Sequence, residues 1–116
     1  MPDFVILDKV FELIGMNSDE YKPDVLASIN AMYSKVNVEC DNRFPVRSID
    51  ETTKLDEITQ DITMGAIIMS LLTLQCKVEY EDSAPAAKQI YLDTIKENLF
   101  FIKSWEENNV LTEDDQ

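Results

Sequence analysis

The sequence predicts an all-α fold, a small bundle of about four helices with a long loop between the second and third helices and an extended C-terminal tail. Two observations carry that expectation. Glycine occurs twice and proline four times in 116 residues, which leaves long stretches free of residues that cost about 1 and about 3 kcal/mol in a helix interior. Apolar side chains recur at spacings of three and four in four separate stretches, the periodicity of a helix with one buried face. The length allows one core, and an apolar content of 45% is enough to fill it.

The first helix is expected over Asp3 to Ile14, where Phe4, Leu7, Val10, Phe11 and Ile14 share a face and Gly15 stands at the place of a left-handed C-terminal cap. The second starts at Pro23 and Asp24, since proline fits a first helical turn and an acid there meets the positive end of the helix dipole. Val25, Leu26, Ile29, Met32, Tyr33 and Val36 then form one face over three turns, the clearest amphipathic signal in the chain. At Asp41-Asn42-Arg43-Phe44-Pro45 the pattern fails, and Phe44 is pushed to extended angles by the proline after it. A loop follows to about Thr53, long enough either to bind something or to be mobile.

The third helix is expected from Leu55, with Ile58, Ile62, Ala66, Met69, Leu72 and Cys76 as its stripe. Ile67, Ile68, Leu71 and Leu74 add apolar surface on its other sides, which marks it as the central helix. Its longest uncharged run, Ile62 to Cys76, is shorter than the roughly 20 residues that span a bilayer. Gly65 inside it suggests close approach of a neighbouring helix. Ser83 and Pro85 open a fourth helix running to about Trp105, on which Tyr91, Ile95, Leu99, Ile102 and Trp105 share a face. Phe100 points away from that face, as a chance surface residue or as a protein contact. Residues 1–105 thus form the domain, and 106–116 an acidic tail whose only aliphatic pair is Val110 and Leu111.

Composition narrows the function classes. Twenty-three acids against ten cations give a formal charge of −13, which repels nucleic acid and anionic membranes. That charge serves solubility alone, a repulsive wall, or mimicry of DNA. With no histidine, no Ser or Cys beside a credible base and no Gly-rich phosphate loop, neither a catalytic residue nor a cofactor is expected. Cys40 and Cys76 are too few and too far apart for a zinc site or a disulfide scaffold, and are expected as buried thiols in a reducing cytosol.

A short helix ending in Leu13-Ile14-Gly15, a long helix ending in Val38-Glu39-Cys40-Asp41-Asn42-Arg43-Phe44, a loop and then a strongly apolar helix make an order of features. Over roughly residues 3–82 this order resembles the head–tail adaptor (head-completion or connector) proteins of long-tailed bacteriophages, many of which carry an arginine and an aromatic after the second helix. The chain departs from that pattern at Asn42, where a glycine is common, and at Lys77 to Asp82, where a more basic end is common. The resemblance implies a virion protein of the neck region, made in the host cytoplasm. It implies a ring of about twelve copies beneath the portal protein, with a tail or stopper protein on the other side and DNA passing through unbound. Arg43, Phe44, Phe100, Trp105, Val110 and Leu111 are then the candidate partner-binding residues. Two other readings stand beside it. One is an acidic inhibitor that mimics DNA in the basic groove of a nuclease or repressor. The other is a small helical dimer or regulatory subunit paired through Phe100 and Phe101.

Overall fold

The computed structural model describes residues 4–15, 19–80 and 84–114, with side chains over 4–15, 20–80 and 84–104. Among these residues the fold is all-α, with four helices: α1 (Ile6–Ile14), α2 (Lys22–Glu39), α3 (Ile62–Tyr80) and α4 (Pro85–Asp114). Short 3-10 turns at Asp19–Tyr21 and Leu55–Glu57 precede α2 and α3. The one β contact among the described residues is an isolated antiparallel bridge between Val5 and Lys54.

That bridge explains why α1 starts later than the periodicity suggests. The Ile6 amide donates to the Thr53 carbonyl at 3.0 Å and the Leu55 amide to the Phe4 carbonyl at 3.2 Å, so Phe4 and Val5 are held extended beside the segment that leads to α3. Once helical, α1 buries Ile6, Leu7, Val10 and Phe11. Gly15 ends it at φ 74°, the left-handed cap that its lack of a Cβ permits.

α2 begins with Pro23 in its first turn and buries Val25, Ile29, Met32, Tyr33 and Val36, with Leu26 half-buried. It stops at Cys40 because Asp41 and Asn42 both take φ 56°, residue types that tolerate left-handed backbone. The Asn42 amide then turns back to the Asn37 carbonyl.

α3 is the central helix and packs against α1, α2 and α4. It starts at Ile62, not at Leu55. Leu55 and Ile58 continue the apolar spacing, yet they lie in a 3-10 turn and the residue after it, and both are buried. The chain then breaks until the Asp61 carboxylate accepts the Met64 amide at 2.8 Å, the geometry of an N-cap. Two residues of the expected stripe, Ile62 and Ala66, are exposed, and the buried face is instead Met64, Gly65, Ile68, Met69, Leu71, Leu72, Thr73 and Cys76. A helix that is apolar almost all round gives periodicity little to select from. Gly65 does meet a close neighbour, but it is the Leu55 side chain of the 3-10 turn and not another helix: an added Cβ would stand 3.2 Å from Leu55 Cδ2.

By length and composition α3 could also cross a membrane, a property that bundle core helices share. Its C-terminal end is joined to the start of α2 by Ser28, which is buried and bonds both the Glu79 carboxylate and the Tyr80 hydroxyl.

α4 lies along α3, with Asn98 reaching Ser70 at 3.3 Å and the Lys77 ammonium 5.8 Å from the Tyr91 ring. It buries Ile95 and Ile102 and half-buries Tyr91 and Leu99. Its backbone continues to Asp114 where a tail was expected from Glu106. No glycine or proline interrupts residues 106–114, so nothing local ends the helix there.

Candidate interaction surface

The loop after α2 is fastened to that helix side chain by side chain. The Asn30 amide group donates to the Ile49 carbonyl at 2.8 Å and to Leu26 at 3.0 Å, and its oxygen accepts the Ile49 amide at 2.7 Å. One turn further on, the Tyr33 hydroxyl donates to the Val46 carbonyl at 2.6 Å. Burial pushes the Tyr33 phenol from 10.0 to about 12, so it remains a donor. Phe44 stacks on the Tyr33 ring at 6.2 Å between centroids, and Ile49 is buried in the core.

At the loop's far end the Asp50 carboxylate accepts the Thr52 amide and the hydroxyls of Thr52 and Thr53. The Thr52 amide, then the two hydroxyls, lower its pKa from the ordinary value. Phe44, a candidate for partner contact, is therefore half-buried against α2, while its neighbour Arg43 is exposed. The loop is an irregular segment, bonded to α2 through Asn30 and Tyr33.

Among the described residues four exposed large apolar side chains, Ile90, Leu92, Phe100 and Phe101, lie on α4 and Val38 stands at the end of α2, while Leu13, Tyr21 and Ile62 are exposed elsewhere. Phe100 is 73% exposed and Phe101 51%, with Ile90 at 63%. Phe100 thus stands where the helix geometry predicts, away from the core. The side chains of Trp105, Val110 and Leu111 lie outside the described residues. Between the C-terminal half of α2 and α4 runs an open groove of about 300 Å³, lined by Ser34, Lys35, Val38, Glu39 and Leu99.

Val38, 65% exposed in that groove, was not singled out from the sequence. Its signal was there, since it falls off the apolar stripe of α2 as Phe100 falls off that of α4. Asn30 was missed as well, although Asn30 and Asn37, seven residues apart at the border of the stripe, mark a side of α2 that needs polar partners.

Among the described residues no group of three or more acids, cysteines or histidines could hold a metal ion. Cys40 and Cys76 are both buried, and burial, with Glu79 adding to it, pushes the Cys76 thiol from 9.0 to about 12, which leaves it unreactive at neutral pH. What α4 and the groove offer is apolar area edged by charge, the composition of a protein-binding surface. In comparisons with protein-family models, curated proteins and solved structures, nothing matches this chain.

Proposed function

We propose that this chain is a non-enzymatic structural subunit that assembles into a ring of the head–tail adaptor kind. The ring sits in the neck of a virion beneath a portal protein, receives a tail or stopper protein on its other side, and leaves a channel for DNA. One observation carries the reading: α4 buries one face in the core and exposes Ile90, Phe100 and Phe101 on the others. Burying an exposed side chain of that size contributes about 1.5–3 kcal/mol, so association has much to gain from that row. The charge of −13 fits a lumen that lets phosphates pass, because a basic lining would hold them with salt-dependent affinity.

The test is the mass of the purified chain by light scattering, alone and mixed with portal rings, beside a chain truncated after Ser104. Closed assemblies of many copies, or capture by a portal that the truncation abolishes, are the expected results. A chain that ignores portals and is displaced from a nuclease or repressor by DNA would instead be an acidic inhibitor.

A further inference from the structure

We draw no further inference here: the strongest candidate, the exposed face of α4 around Ile90, Phe100 and Phe101, carries Asp93 and Glu97 beside Lys96 and Lys103 and so selects no partner by charge, and nothing in the structure shows what covers it.

Discussion

Asn30 is the side chain on which the loop between α2 and α3 most depends, because it meets both the amide and the carbonyl of Ile49 while also bonding Leu26. Asn30→Ala removes all three bonds and leaves two backbone groups of a buried residue without partners. A loss of about 2 kcal/mol is expected, at the scale of unsatisfied buried polar groups, read from urea unfolding. Exchange of the Ile49 amide should rise by more than that of the α3 core.

Tyr33 and Cys76 set the alkaline limit. Each has a folded pKa raised above its ordinary value, so its contribution is complete below that value and is lost as pH climbs to the folded one. The window runs from about 9 for Cys76 and about 10 for Tyr33 up to about 12. Urea midpoints should be level through neutral pH and fall across that window, and Tyr33→Phe should flatten its upper part. Asp50 has the opposite sign: its lowered pKa adds stability above the ordinary carboxylate range and loses it as acid protonates the side chain. Among single residues the direction of Phe100 was legible because it needs only helix geometry, whereas the docking of Phe44 on Tyr33 depends on a loop path that no periodicity encodes.

At the scale of elements, α3 depends on where it starts. The Asp61 carboxylate on the Met64 amide fixes that start, and Asp61→Ala should cost about 1 kcal/mol. The change is checked by thermal unfolding and by faster amide exchange confined to the first turn. α1 and α2 were readable in advance because each has one apolar face and an unambiguous end, at Gly15 and at Asp41-Asn42. The beginning of α3 was not, since Leu55 and Ile58 keep helical spacing through a 3-10 turn that only the contact with Gly65 and the pairing with Phe4 explain. The end of α4 was misread from the other direction: acidity in 106–114 suggested a tail, but a charge run without glycine or proline is equally able to stay helical.

For the whole molecule, the balance of charge is the dominant global property. Thirteen uncompensated negative charges repel one another over a body 47 × 32 × 21 Å. At roughly 0.1 M salt the screening length is about 10 Å, shorter than every one of those dimensions. Raising salt from low values should therefore raise the melting temperature by several degrees, with most of the gain complete near that concentration. Calorimetry across a sodium chloride series checks this. A melting temperature that is flat or falls with salt would mean that local attractions outweigh the net repulsion.

The pairing of Phe4 to Ile6 with Thr53 to Leu55 also bears on how the chain is made. α1 leaves the ribosome first, yet what it rests on is the strand-like approach to α3 and α3 itself, both synthesised much later. At about 5–20 residues per second, Ile6, Leu7, Val10 and Phe11 wait several seconds without their final cover. During translation α1 is thus a temporary client for any chaperone at the exit tunnel, and a pulse-labelled nascent chain halted before α3 should be captured more readily than one released after it.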